Sequence, residues 1–223
     1  MTKIQKRIIS ALVLVPPVLF STYMGGIIFA ALLFVVFVLA LWEWRQMSVR
    51  TSRPNVFMFS GLLYFAVSFL AFFSLREMSE LGLMLTVVLF FSIWSSDSFA
   101  YIFGKILKGP KLVPSVSPSK TIAGFIGAAF GSALMFVLGQ LITSISFSLP
   151  TTFTEYLLVM TLGAVLGMVA QAGDLMMSMM KRYVDVKDTG HIIPGHGGVL
   201  DRIDSLLLTA PVFYLIVAVF YNG

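Results

Sequence analysis

Residues 26–42, 57–74, 82–104, 121–143, 156–178 and 203–221 are runs of mostly apolar side chains. Each is close to the roughly 20 residues that a helix needs to cross a bilayer core about 30 Å thick. A shorter run, 8–22, precedes them and is separated from the second by Gly25 and Gly26, which suit a tight turn. Inside a bilayer every backbone polar group must find its partner within the chain, so runs of this length fold as helices. The expectation is an all-α, polytopic transmembrane protein of about seven spans. Over the 223 residues the hydrophobic fraction is 58% and the charged fraction 11%, a balance that excludes a cytosolic enzyme, a disordered chain and a secreted module. There is no cysteine, so a bound metal would have to be held by oxygen or imidazole.

The first run is read as a helix that stays, not as a cleaved leader, because more spans follow and no small-residue cleavage site stands out. Pro16 and Pro17 are expected to bend it. Seven spans alternate the connecting segments between two sides. Lys3, Lys6, Arg7, Arg45, Arg50, Arg53, Lys105, Lys108, Lys111, Lys120, Lys181, Arg182, Lys187 and Arg202 then fall on one side, 14 of the 15 basic residues, and only Arg76 falls opposite. By the positive-inside rule the crowded side is cytoplasmic, which places the amino terminus inside and the carboxyl terminus outside. The net charge of +5 is thereby explained without a nucleic-acid partner. Trp42, Trp44 and Arg45 are expected to anchor the second span at the interface.

Polar residues gather at the same end. Asp97 lies eight residues before Lys105 and Asp174 seven before Lys181, which sets both carboxylates roughly 10 Å inside the basic boundary. A carboxylate at that depth must be paired, metal-bound or open to a water-filled cavity; a structural ion pair is the plain alternative. Residues 181–204, KRYVDVKDTGHIIPGHGGVLDRID, are the least hydrophobic part of the chain and hold both histidines, His191 and His196. Gly195, Gly197 and Gly198 allow successive N–H groups to converge on an anion. Asp201 and Asp204 are three apart and share a face if the last helix has begun there. With Asp174 they form an oxygen set suited to Mg²⁺ holding phosphates. Residues 105–121, KILKGPKLVPSVSPSKT, read as a restrained loop. Its Ser117, Ser119, Lys120 and Thr121 could hold a phosphate at the start of the fifth span or merely cap that helix.

These motifs resemble the phosphatidate cytidylyltransferase (CDP-diglyceride synthase) family. The resemblance rests on Ser178, Lys181-Arg182, Lys187-Asp188, Pro194-Gly195-His196-Gly197-Gly198 and Asp201-Arg202-Ile203-Asp204, with Asp97-Ser98-Phe99-Ala100-Tyr101, Gly104-Lys105 and Ser117-Pro118-Ser119-Lys120-Thr121 upstream. It is convincing over roughly 90–215 and elsewhere rests on hydropathy. It implies transfer of a cytidylyl group from CTP to phosphatidate with Mg²⁺ as cofactor, in the cytoplasmic membrane, with a homodimer as the family's assembly. By that resemblance Asp174, Lys181, Arg182, Asp201 and Asp204 are catalytic, with Asp174, Asp201 and Asp204 as metal ligands. Asp97, Tyr101, Ser117, Lys120, Thr121, Lys187, Asp188, His196, Gly197, Gly198 and Arg202 bind substrate. Residues 1–80 are expected to form a front group of helices and 81–223 the catalytic region. Ala123 and Met177 stand where the family carries glutamate, and Ser119 where it carries lysine. A chain with these replacements either does without the two acids or is an impaired homologue that binds nucleotide, metal or lipid. A small ion transporter would need polar groups through the whole membrane thickness, and the outer half of this chain has almost none.

Overall fold

The structure, a computed structural model, describes residues 3–78, 81–143 and 152–221. Seven helices succeed one another in chain order: α1 (Lys3–Met24), α2 (Gly26–Ser48), α3 (Pro54–Arg76), α4 (Gly82–Leu107), α5 (Ile122–Thr143), α6 (Phe153–Tyr183) and α7 (Leu200–Tyr221). Six of them are long and apolar enough to cross a membrane, whereas the apolar part of α1 is the shorter Leu12–Met24. The chain is thus a polytopic helical membrane protein. Helix α1 continues through Pro16 and Pro17. The side chains of Lys3, Lys6 and Arg7, counted in the charge asymmetry, lie outside the described ones, and the division near residue 80 falls beside 79–80, which also lie outside.

One correction to the loop reading concerns residues 105–121. Helix α4 ends where Lys108 (φ 55°) and Gly109 (φ 89°) enter the left-handed region and Pro110 cannot continue it. The chain then forms an antiparallel hairpin, β1 (Lys111–Val113) and β2 (Ser117–Thr121), with Lys111 opposite Thr121 and Val113 opposite Ser117. Its second strand runs straight into α5. Thr121 caps that helix, its hydroxyl accepting the Gly124 N–H at 3.0 Å, so capping accounts for this residue.

Close approach between α4, α5 and α6 depends on small residues, as between membrane helices generally. A Cβ on Gly131 would lie 2.8 Å from the Phe99 side chain and the Ser95 carbonyl of α4, and one on Gly167 would lie 2.5 Å from the Ala128 carbonyl of α5. Backbone, not a flexible side chain, blocks the second position. Gly167→Leu is therefore expected to force α5 and α6 apart and to lower the melting temperature in detergent, with an overpacking cost of about 1–3 kcal/mol or more. An unchanged melting temperature would show that the pair can slide.

The front helices pack on the rear ones. Phe29, Phe72, Leu75, Leu89, Leu166 and Phe213 share one buried cluster, and Ala40, Trp44, Phe65, Met177, Leu200 and Leu207 another. The Ser68 hydroxyl of α3 donates to the Leu207 carbonyl of α7 at 2.5 Å. Trp44 departs from the interfacial reading: it is 4% exposed, stacks on Phe57 with centroids 4.3 Å apart and donates its indole N–H to the Phe57 carbonyl at 2.7 Å. It is a core residue of the α2–α3 contact. At the other end of the bundle, Arg76 donates to the Thr22 and Tyr23 carbonyls that end α1, while Glu77 accepts the Gly26 N–H that starts α2. The basic residue set apart by the charge count thus complements a helix C-terminus.

Candidate functional site

The ends of α4 and α6 and the beginnings of α5 and α7 meet beneath the hairpin and enclose a cavity of about 540 Å³. Five carboxylates line it, Asp97, Asp174, Asp188, Asp201 and Asp204, with four cations, Lys105, Lys120, Lys181 and Arg202. Helix α6 runs 31 residues, about 46 Å at 1.5 Å per residue. It therefore has length to spare beyond the bilayer core, and it carries Gln171, Asp174 and Lys181 down one wall.

The polar groups on the walls are tied to one another. Lys120, from β2, reaches across to Asp174 at 2.8 Å and also donates to the Gln171 carbonyl at 3.3 Å. The Gln171 amide donates to Asp97 at 2.9 Å, and Ser178 donates to Asp174 at 3.3 Å. Asp204 accepts the Ser205 N–H at 2.9 Å. The Asp97 and Asp204 carboxylates each lie within electrostatic reach of Asp174, so three like charges of three different helices face one space. Tyr101 and Lys105 form the rim, the ammonium 5.5 Å from the ring centroid.

Asp201 is placed differently from its neighbours. Its Oδ1 accepts from Lys181 at 2.7 Å, and its Oδ2 from the Thr189 and Gly198 N–H groups at 2.9 and 3.0 Å, with the Thr189 hydroxyl oxygen 3.1 Å away. The pair is buried, the Lys181 and Asp201 side chains being 11% and 4% exposed. Both oxygens are thus occupied by protein donors. The expectation of a ready-made three-carboxylate metal set is accordingly not met: among the described residues no three acidic or imidazole side chains are already gathered as a metal-ligand cluster.

The glycine-rich turn also departs from the anion-nest reading. Pro194 and Gly195 (φ 80°) form the middle of a type II turn closed by the His196 N–H on the Ile193 carbonyl at 2.9 Å. The N–H groups of Gly198, Val199 and Leu200 do not converge on open space. Gly198 donates to Asp201, while Val199 and Leu200 donate to Glu43 at 2.8 and 2.9 Å. Protein carboxylates sit where a phosphate was expected, and a Cβ on Gly198 would run into the Glu43 carboxylate and the Thr189 hydroxyl.

Of the residues singled out from the sequence, Asp97, Tyr101, Lys120, Thr121, Asp174, Lys181, Asp188, Asp201, Arg202 and Asp204 line the cavity, together with Ser119. Ser117, Arg182, Lys187, His196, Gly197 and Gly198 are outside the lining. Arg182 instead donates to the Val116 carbonyl of the hairpin turn and the Val186 carbonyl at 3.3 and 3.0 Å, which ties the hairpin to the loop after α6. Ala123 and Met177 are outside it too, and Met177 is 1% exposed in the apolar cluster around Trp44. Sequence reasoning missed Glu43, a fully buried acid on α2, and Gln171. The available signal for Glu43 was a lone carboxylate inside an apolar run, between two tryptophans that drew attention to the interface.

The cytidylyltransferase family matches residues 51–220, which takes in α3 to α7 and the whole cavity. A phosphatidate cytidylyltransferase of Rickettsia felis is 38% identical over 210 residues, covering 94% of this chain and 90% of that protein. One from Bacillus subtilis is 40% identical over 158 residues, 71% of this chain and 56% of that protein, and one from Brucella abortus is 31% identical over 265 aligned residues, 99% and 95%. With the family match spanning most of its length, and relatives such as the Rickettsia felis protein aligned nearly from end to end, the chain belongs to the cytidylyltransferase family.

Proposed function

We propose that this protein transfers a cytidylyl group from CTP to phosphatidate, forming CDP-diacylglycerol and pyrophosphate. The observation that carries the reading is a cavity, set among the ends of membrane helices, whose walls present more carboxylates than cations. A bare triphosphate is repelled by such a site, and a triphosphate accompanied by a divalent cation is not. Asp97, Asp174 and Asp204 offer oxygen donors of the right chemistry. Mg²⁺ is commonly held by one or two carboxylates with substrate phosphates supplying the rest, so the lack of a closed three-ligand cage suits an ion that arrives with the nucleotide. Asp174 and Asp204 are its proposed holders, with Asp97 beside them. When bound, the ion supplies charge neutralisation on the triphosphate and on the departing pyrophosphate.

The side chains supply position and charge. Lys120 from β2 and Arg202 from α7 line the cavity and offset phosphate charge. Lys181, held by Asp201, presents its ammonium at a fixed place. A phosphate oxygen of phosphatidate attacks the α-phosphorus of CTP; the bond from that phosphorus to the oxygen bridging the β-phosphorus breaks, and pyrophosphate leaves. The attacking oxygen is already anionic at neutral pH, so no protein base has to remove a proton. Positioning and electrostatics therefore carry the reaction. Asp201, whose side chain is 4% exposed where that of Asp174 is 31% and is held by backbone N–H groups of the loop as well as by Lys181, is assigned to holding Lys181 and the loop, which revises its place among the expected metal ligands.

Ala123 and Met177, at the positions where the family carries glutamate, do not line the cavity, which supports an active enzyme over a binding-only homologue. The basic residues Lys105, Lys108, Lys111, Lys120, Lys181, Arg182, Lys187 and Arg202 lie on the elements at the cavity end, so that end is proposed to face the cytoplasm. The test is release of pyrophosphate by purified, lipid-reconstituted protein given CTP and phosphatidate, with Mg²⁺ or with chelator. Metal-dependent release matched by CDP-diacylglycerol is the expected result, and no product from folded protein would overturn the reading.

A further inference from the structure

We propose that Glu43, on a helix that does not line the cavity, is a positioning residue for the cytidylyl transfer, acting through Thr189 on Asp201 and Lys181. The inference rests on the reaction proposed for the cavity. Glu43 is 0% exposed and lies between Ala40, Trp44 and Met47, in the apolar cluster that joins α2 to α6 and α7. A carboxylate there is costly to bury unless its oxygens are well satisfied. They are: Oε1 accepts the Val199 N–H at 2.8 Å, and Oε2 accepts the Leu200 N–H at 2.9 Å and the Thr189 hydroxyl at 2.8 Å.

Those partners are separated from it by 146 to 157 residues, so this one side chain fixes the loop after α6 and the start of α7 against the front of the bundle. Capping α7 alone would not require contact with Thr189. That residue touches both acids: its hydroxyl is 2.8 Å from Glu43 and 3.1 Å from Asp201, and its N–H donates to Asp201 at 2.9 Å. Asp201 in turn holds Lys181 at 2.7 Å, and Lys181 lines the cavity. A continuous chain of contacts thus runs from Glu43, through Thr189 and Asp201, to an ammonium in the site. Gly190 and Gly198 are small where Glu43 enters, since a Cβ on either would meet its carboxyl group.

A residue that acts by placing a group for the transition state changes kcat and leaves KM nearly alone. Misplacement of about 1 Å can cost about a hundredfold. The experiment compares wild type with Glu43→Gln, Thr189→Val, Thr189→Ser and the Glu43→Gln/Thr189→Val double variant. It measures kcat and KM for CTP and phosphatidate on protein shown to be monodisperse and folded. Thr189→Val keeps the Glu43 contacts to Val199 and Leu200 but removes the shared hydroxyl, and Thr189→Ser keeps that hydroxyl. Expected are a fall in kcat of about tenfold for Thr189→Val and about a hundredfold for Glu43→Gln, with both KM values within about twofold. Thr189→Ser should be near wild type, and the double variant should be no slower than Glu43→Gln, because coupled residues are not additive. Folded Glu43→Gln with wild-type kcat, costs that multiply in the double variant, or Thr189→Val as active as Thr189→Ser would each overturn the proposal. If Glu43→Gln does not fold, the Thr189 pair decides it. A wild-type enzyme without product removes the reaction itself, an outcome distinct from an active wild type matched by its Glu43 and Thr189 variants.

Discussion

Asp204→Asn is expected to reduce Mg²⁺-dependent CDP-diacylglycerol formation by about a thousandfold, the loss produced when several kcal/mol of charge stabilisation in the transition state is removed. Asp204 sits on the first turns of α7 with one oxygen fixed by the Ser205 N–H at 2.9 Å, and it lines the cavity close to Asp174. Asparagine keeps the size and one acceptor but lacks the charge. Folding should survive, because the change relieves repulsion from Asp174 and Asp97. The measurement is CTP-dependent pyrophosphate release at saturating substrate, together with thermal unfolding in detergent. Turnover within tenfold of wild type would remove Asp204 from the proposed metal holders and leave Asp174 and Asp97 to carry the role.

Lys181→Met should be the more damaging change to the fold. It leaves the Asp201 carboxylate, 4% exposed at its side chain, without its cation. Breaking a buried pair by removing one partner costs about 3–5 kcal/mol, which for a chain of this size corresponds to a drop of about 10 °C in melting temperature. Turnover should fall with it, since Lys181 also lines the cavity. The Lys181→Met/Asp201→Asn double variant carries no uncompensated charge, and asparagine can still accept the Thr189 and Gly198 N–H bonds. It should recover at least half of the lost stability and none of the lost turnover. An unaltered melting temperature for Lys181→Met would mean that water reaches Asp201. Recovery of activity in the double variant would mean that Lys181 contributes no charge to the reaction.

Both predictions depend on distinguishing carboxylates that look alike in the sequence. Asp201 and Asp204 share one turn and one motif, yet one is enclosed by protein donors and the other opens on the cavity. The spacing put them on one face of a helix but could not say which of them the loop would cover. That was decided by Thr189 and Gly198, which reach Asp201 only once the loop after α6 has turned back on itself. Arg182 shows the same limit. Next to Lys181 it reads as a second phosphate-binding cation, but adjacent positions on a helix point in different directions, and its guanidinium holds the Val116 and Val186 carbonyls.

Hydropathy by itself determined the membrane class and the number and order of the helices, because an apolar run of bilayer length has little choice but to be a helix. The gathering of polar groups at one end was equally legible, since it depends on position along the chain. Glu43 was not. Its surroundings along the chain are apolar and aromatic, and its partners at Thr189, Val199 and Leu200 come from the far end of the sequence. A buried carboxylate takes its meaning from the donors around it, and those are assembled only when the Glu43 end of α2 meets the loop after α6 and the start of α7. The same holds for the turn at Gly195 to Gly198: composition showed that backbone N–H groups could converge there, and only the tertiary structure decided that Glu43 and Asp201 would be what they converge on.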